Sequence, residues 1–566
     1  MPTPPIDSVR LLMDGQWNHL QPTIERLLKA KLDEGSVAAF LDEWSTLAEI
    51  QGEAYSRLFV ATTINTADQD AQDRYSHFRS TVHPKLEHLD QELTRKLLDS
   101  NLAPAGMALP IRRLRSDAEQ FRPENQPLQN ALVQLGVRYN GVTGARTVEW
   151  DGQETTTTQL RPIFQGQDRA QREQAWRLQH VRQHQDRDTI SEIWGESLVL
   201  KQQIATNAGF KDYRSFRWEE LHRYDYEPTQ SIQFHKAIAE VVVPAASRIY
   251  AWRRNELGLS SLRPWDLDVD PLGAAPLRPF NEVEELIGQL KKLFNHLDPT
   301  LGSYFDTLSK SGLLDLDNRK NKAPVGYCIR FPVVGLPFIF TNAVGVQRDV
   351  QTLCHESGHA FHAFETKALP WLFQRSVGAE FSEVASMAME FLIQDLLDHP
   401  EVGIYNPAEA SQARLQYLEN RLLLWPRVAA IDAFQHWAYS HPAEAAQPEM
   451  CNKTWRQVSQ KFMPDVDWSG LEHYREIGWQ SVTHIHNAPF YYVEYGLALL
   501  GAVQIWANSR RNRAEAVQQY RDALAMGSTA SMPELYKTAG ASFTFDAPAL
   551  QDAVGLLMTE IESLWG

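Results

Sequence analysis

Cysteine is scarce in this 566-residue chain. Cys328, Cys354 and Cys451 are the only three, and no two have a paired spacing. That argues against a disulfide framework and for a reducing cytoplasm. No apolar run approaches the roughly 18 residues a membrane-spanning helix needs. The opening stretch, MPTPPIDSVRLLMDGQWNHL, lacks a basic segment followed by an apolar one and a small-residue cleavage site, so no secretory leader is expected. Positive charge is also short. A net charge of -16 excludes a partner read mainly through its phosphates and disfavours anionic membranes. There is no Walker A sequence and no Gly-x-Ser-x-Gly elbow, so phosphoryl transfer and serine hydrolysis lack a starting motif. Internal repeats, low-complexity blocks and coiled-coil heptads are missing as well.

What is present is the composition of a globular protein, 43% hydrophobic and 22% charged, with length enough for a large core. The fold expected is mostly α. Apolar residues recur at three- and four-residue spacing in 76–100, 167–210, 280–297 and 514–527, the last closing on Gly527. Residues 259–282 are rich in breakers and read as a loop. One segment departs from the helical pattern: VGYCIRFPVVGLPFIFTN, from Val325, has β-branched and aromatic residues around a central Pro and Gly. It predicts two short strands joined by a turn. An edge strand there could pair with an extended peptide through main-chain hydrogen bonds, with Gly326, Tyr327 and Phe338 as candidate binding residues.

A dozen residues further on, LCHESGHAFHAF begins at Leu353. On a helix, His355 and His359 are i and i+4 and point the same way, so their ring nitrogens can share one zinc ion. Glu356 lies beside the first histidine. It cannot join the same ligand direction, but it can take a proton from a water at the metal. Gly358 costs on the order of 1 kcal/mol within a helix, which is understandable where something must come close to the backbone. A third ligand is still required. His362 is poorly placed for the same ion on one straight helix and reads as supporting or core. Cys354 reads as core filler. VGAEFSEVASMAMEFLIQDLL, from Val377, predicts a second helix with Glu380, Glu383 and Glu390 on one face, a run better explained by a cation than by solvation alone.

These segments together resemble the thimet oligopeptidase and oligoendopeptidase F family of zinc peptidases, more closely its oligoendopeptidase F side. HESGHAFHAF resembles the family's metal helix. FSEVASMAME resembles the segment whose Glu completes the metal site, which here is Glu383. HIHNAPFYYVEYG, from His484, is similar to a late His followed by Pro-Phe-Tyr and further tyrosines. IATNAGFKDYRSFRWEELHRYDYEP and PFIFTN also have counterparts, so the likeness runs in pieces from about 190 to 510. It implies one zinc ion per chain, held by His355, His359 and Glu383, with Glu356 as general base. It implies His484 with Tyr491 or Tyr495 as donors to the oxyanion, Tyr492 lining the substrate, and His486 as a weaker candidate. The implied architecture is a two-lobed helical peptidase with a deep central channel and a small β-sheet beside the zinc. An N-terminal helical region, 1–190, would precede a catalytic domain, 191–566. The expected activity is endopeptidase cleavage of short unstructured peptides in the cytoplasm. A dipeptidyl- or carboxypeptidase of the same broad fold and a catalytically silent peptide-binding protein are the alternatives. Expected partners are peptide substrates, not nucleic acid or membrane, and the oligomeric state stays open.

Overall fold

The apolar periodicity is realised as helices. A computed structural model describes residues 5–565. It is mostly helical, with five short strands: β1 (Thr147–Trp150), β2 (Gln153–Thr156), β3 (Leu314–Asp317), β4 (Tyr327–Phe331) and β5 (Leu336–Ala343). Helices fill His83–Ser100, Val283–Leu297 and Arg513–Ala525, and Gly527 after the last of these takes a φ of 53°. The segment 167–210 is two helices, Arg169–Gln185 and Arg187–Asn207, where the sequence showed no break. They part at Asp186, whose carboxylate is gripped by Arg146 at 2.9 Å and Arg182 at 2.6 Å. Residues 259–282 stay irregular apart from one turn at Pro264–Asp266 and a helix start no earlier than Val283.

The chain forms two compact units, neither of them one continuous stretch. The first comprises the residues up to Glu119, Leu277–Ala410 and Gly501–Phe543; the second comprises Gln120–Pro276, Ser411–Leu500 and the residues from Thr544.

In the first unit, the long helix Val37–Ile64 buries Phe40, Leu41, Trp44 and Leu47 against the helix His83–Ser100. The expected strand pair is the antiparallel hairpin β4–β5, registered from Tyr327 opposite Phe340 to Phe331 opposite Leu336. β3 was not foreseen. It joins β5 in parallel, giving the order β3-β5-β4 and leaving β4 as the outer strand. Strand alternation sorts the side chains. Tyr327, Ile329 and Phe331 pack with Phe338, Phe340 and Val60 on one face, so Cys328 and Arg330 turn to the other. The hairpin turn is fastened to the long helix by buried Glu53, which accepts from the amides of Val333 at 2.7 Å and Val334 at 3.0 Å. β5 then runs into the helix Gln347–Glu365, whose start is fixed by Asp349 accepting from the Val344 and Val346 amides. The helix Ala379–Leu392 follows.

The second unit carries the helices Arg187–Asn207 and Tyr213–Glu220, most of Pro407–Ser440, and the late segment around His484. Trp194, Phe434 and Trp479 form part of its aromatic interior, with Phe434 and Trp479 stacked at 5.6 Å. Among the described residues, no helix is long and apolar enough to cross a membrane.

Candidate metal centre

The histidine pair sits where helical spacing requires. Both lie mid-helix in Gln347–Glu365, with ring centroids 5.0 Å apart. The sequence-level reading of Gly358 was only that something comes close. The structure identifies it as the backbone of the second helix: a Cβ on Gly358 would stand 2.4 Å from the Ala385 carbonyl oxygen and 2.6 Å from the Ser386 Cα. The two helices therefore cross almost backbone to backbone, one turn beyond His355. That crossing delivers Glu383, whose Oε2 lies 3.5 Å from His355 Nε2 and 3.9 Å from His359 Nε2. Donor atoms of His355, His359 and Glu383 all fall within 4.8 Å of one another, the one such group of three or more among the described residues.

Of the three acids on the second helix, Glu380 and Glu390 do not join this group. Glu390, buried, accepts a 2.8 Å hydrogen bond from His355 Nδ1. That orients the ring with Nδ1 toward Glu390 and Nε2 toward Glu383, the orientation a metal ligand requires. The sequence placed Glu390 on the right face without revealing this role. The chemistry of the set, two imidazoles and a carboxylate with a carboxylate behind one imidazole, fits zinc. His362 is buried against Phe381 and burial keeps it neutral, its pKa well below the usual value. Cys354 is buried too.

Electrostatics within the cluster are strongly coupled. Burial raises Glu356 to about 7, helped by the neighbouring charges of Glu383 and Glu390 and opposed by His355. For His355, burial disfavours the cation, but Glu390, Glu383 and Glu356 outweigh it and lift the pKa to about 9. Burial, with the charges of His355 and Arg330, lowers His359 to about 3.

The strand candidates divide. Gly326, at the mouth of β4, lies against the metal helix: a Cβ there would be 4.0 Å from Glu356 Oε1. Tyr327 and Phe338 do not turn their side chains that way. The Tyr327 ring stacks on Phe340, its hydroxyl meets Thr63 Oγ1 at 2.5 Å, and Phe338 is buried in the same layer. Strand alternation puts both on the core face, so only the backbone of β4 remains for pairing.

His484 and the tyrosines lie in the second unit and form one cluster. The His484 ring is 5.7 Å from Tyr491, 4.9 Å from Tyr492 and 6.0 Å from Tyr495. On a continuous helix Tyr491 and Tyr495, i and i+4, would share a face and leave Tyr492 aside, but the helix begins only at Tyr492. Phe490 just before it takes a φ of 65°, left-handed and unfavourable for a bulky residue. Several side chains hold it there. Gln435 Oε1 accepts from the Phe490 amide at 3.1 Å, and Arg223 donates to its carbonyl at 2.6 Å while pairing with buried Glu494 at 2.6 Å. Lys201, wholly buried, donates to Tyr439 at 3.0 Å and approaches the His486 carbonyl at 3.5 Å. His486 itself is wall material, stacked on Tyr139 at 4.2 Å.

A model of Peptidase family M3 matches residues 163–555, and the chain belongs to that family. The oligopeptidase PepF of Bacillus subtilis (strain 168) is 24% identical over 318 residues, which is 54% of this chain but only 45% of that relative's length. Among solved structures, PZ peptidase A with inhibitor 2 superposes with a TM-score of 0.87 at 25% identity, covering 99% of this chain and 97% of that one. A protein assigned as oligoendopeptidase F gives 0.87 at 23% identity, covering 96% and 95%. The mostly helical fold is thus that of oligoendopeptidase F.

Two outcomes follow from this geometry. Gly358→Ala forces the helices apart, so zinc retained after dialysis against a weak chelator should fall well below wild type, and overpacking should cost about 1–3 kcal/mol. Ser357→Ala, which loses only a bond to the Leu353 carbonyl of its own helix, should retain its metal. The second concerns Lys201. Burial, with the charge of Arg217, lowers its pKa from an ordinary 10.5 to about 7. Between those values the unfolded chain binds more protons, so folding stability should rise with pH across the window and carry the full penalty below it. Lys201→Met removes that dependence: urea midpoints should favour the variant near pH 7, by on the order of a few kcal/mol, and the gap should close toward pH 10. A gap that does not change with pH would refute this.

Proposed function

We propose that this member of peptidase family M3 is a zinc-dependent endopeptidase acting on internal bonds of short, extended peptides. The observation that carries the reading is the convergence of His355, His359 and Glu383 donor atoms within 4.8 Å, with the buried carboxylate of Glu356 next to the first of them. A zinc ion, when bound, supplies Lewis acidity to the water and the peptide carbonyl.

The chain's own groups account for the rest. Glu356, with a pKa raised to about 7 by burial and neighbouring carboxylates, is suited to accept a proton from the attacking water and return it to the leaving amine near neutral pH. Glu390 holds the His355 ring, so the ligand geometry needs no rearrangement. β4 offers an outer edge whose near end, Gly326, adjoins Glu356. A peptide laid on that edge gives up main-chain hydrogen bonds to it. A segment inside a folded domain has those groups already paired, which favours short unstructured substrates. Donation to the developing oxyanion is assigned to His484, Tyr491 or Tyr495. The free cysteines fit the reducing cytoplasm as its place of action.

Glu356→Gln should keep its zinc and its fold yet lose nearly all turnover of a quenched fluorescent peptide; activity within about tenfold of wild type would remove Glu356 from the role of base. Metal analysis separates the acids of the second helix. Glu383→Ala should lose zinc on dialysis, whereas Glu380→Ala should hold it, and the reverse pattern would shift the ligand by one helical turn.

A further inference from the structure

The face of β4 that looks toward the metal helix carries Gly326, Cys328 and Arg330 in alternation. They run along that helix in order. Gly326 lies against Thr352 and Glu356, the Cys328 thiol feels the Glu356 charge, and the Arg330 charge reaches His359 and His362. Arg330 is thus about 13 Å along the strand from the general base, past the metal ligands, on the same face.

Its guanidinium is under-used. One nitrogen donates to the Arg375 carbonyl at 2.6 Å, and no carboxylate pairs with it among the described residues. Glu49 is engaged by the neighbouring Arg375 at 2.8 Å. Arg330 therefore sits partly buried beside a second arginine. Burial and the charge of Arg375 both disfavour its cation. A partly buried guanidinium whose remaining donors face no acid is suited to meet an anion that reaches it, and its planar fork suits a carboxylate. On a chain of net charge -16, an acid could have been supplied from within; among the described residues none is.

We infer that Arg330 is an anion-recognition residue of the peptide site: it receives a carboxylate of the bound peptide, two to four residues from the scissile bond. The carboxylate comes either from an Asp or Glu side chain or from a free C-terminus. This rests on the edge-strand reading of β4 given above, and it adds a specificity which pairing through the main chain alone does not have.

The test uses the zinc-loaded full chain and a short quenched peptide that is neutral and amidated. In one arm a single Glu is walked through its positions; in the other the amide is replaced by the free acid. Wild type should cut one arm roughly tenfold to a hundredfold better than the neutral parent in kcat/KM. Gain at a Glu position assigns the side chain, and gain only with the free acid assigns the terminus. Arg330→Lys should keep part of the preference. Arg330→Glu should lose it and prefer Lys at the same place, an inversion that a merely structural role would not produce. The inference falls if every arm stays within about threefold of the parent in wild type, or if Arg330→Glu keeps the acidic preference. Should the neutral parent go uncut, the peptidase reading itself fails. Fluorescence anisotropy of the same peptides on Glu356→Gln, with and without Arg330→Glu, then decides the anion site independently of turnover: tighter binding of the acidic arm, lost on charge reversal, supports it, and equal binding overturns it.

Discussion

The candidate metal centre depends on one close contact, the crossing of two helices at Gly358. Any side chain there would collide with the Ala385 carbonyl and the Ser386 Cα, and the second helix would have to withdraw. Glu383 reaches the histidine pair only because it does not. Glu390, seven residues later on the same helix, arrives by the same crossing to hold His355. One missing methyl group therefore places both a candidate ligand and the group that orients another candidate ligand. The helix-propensity cost of glycine, on the order of 1 kcal/mol, is small beside the carboxylate contacts it makes available.

The second unit solves a similar positioning problem with charge instead of close packing. Phe490 is held in a left-handed conformation by hydrogen bonds to both its amide and its carbonyl. The grip on the carbonyl comes from Arg223, whose own charge is balanced by Glu494 with both side chains essentially inaccessible. Buried pairs of this kind seldom add much net stability, but breaking one leaves an uncompensated charge. What the arrangement provides is a defined place for the backbone between His484 and Tyr495. Burying Lys201 beneath the His486 carbonyl adds to the same constraint, at a cost that depends on pH.

How much of this was legible in the sequence follows from the range of the interactions. The histidine spacing and the shared face of the three acids are local periodicities, and the structure places them as the sequence indicated. The hairpin was legible too, because its turn and its two strands are adjacent. β3 was not, since its parallel pairing with β5 leaves no mark in a four-residue segment read alone. The break at Asp186 is set by two arginines, one forty residues away, which helical periodicity cannot register. That the helix starts only after Tyr491 has a related cause. The positive φ at Phe490 is imposed by Gln435 and Arg223, remote residues that override local preference. Tyr327 and Phe338 were singled out by segment, but alternation along the strand decides their direction, and the parity that faces the metal helix is the even one of Gly326, Cys328 and Arg330.

The same alternation explains why charge is distributed unevenly around the metal helix. On the side of the second helix, Glu383 and Glu390 crowd the histidines, and with Glu356 they give three carboxylates in a confined space. Such a cluster is tolerable only if protons or a cation offset it, and the raised pKa values of Glu356 and His355 express that demand in protons. A divalent ion held there would meet it differently: it would need Nε2 of His355 unprotonated, so its uptake would displace protons and its affinity would fall as pH falls. On the strand side the imbalance has the opposite sign. Arg330 lies beside Arg375, which holds the Glu49 carboxylate, and the charge of Arg330 reaches His359, where with burial it disfavours the imidazolium. The acids around the histidines and Arg330 are thus separated by about 13 Å along β4, an ordering that would give an extended peptide lying on that strand, as proposed, a direction.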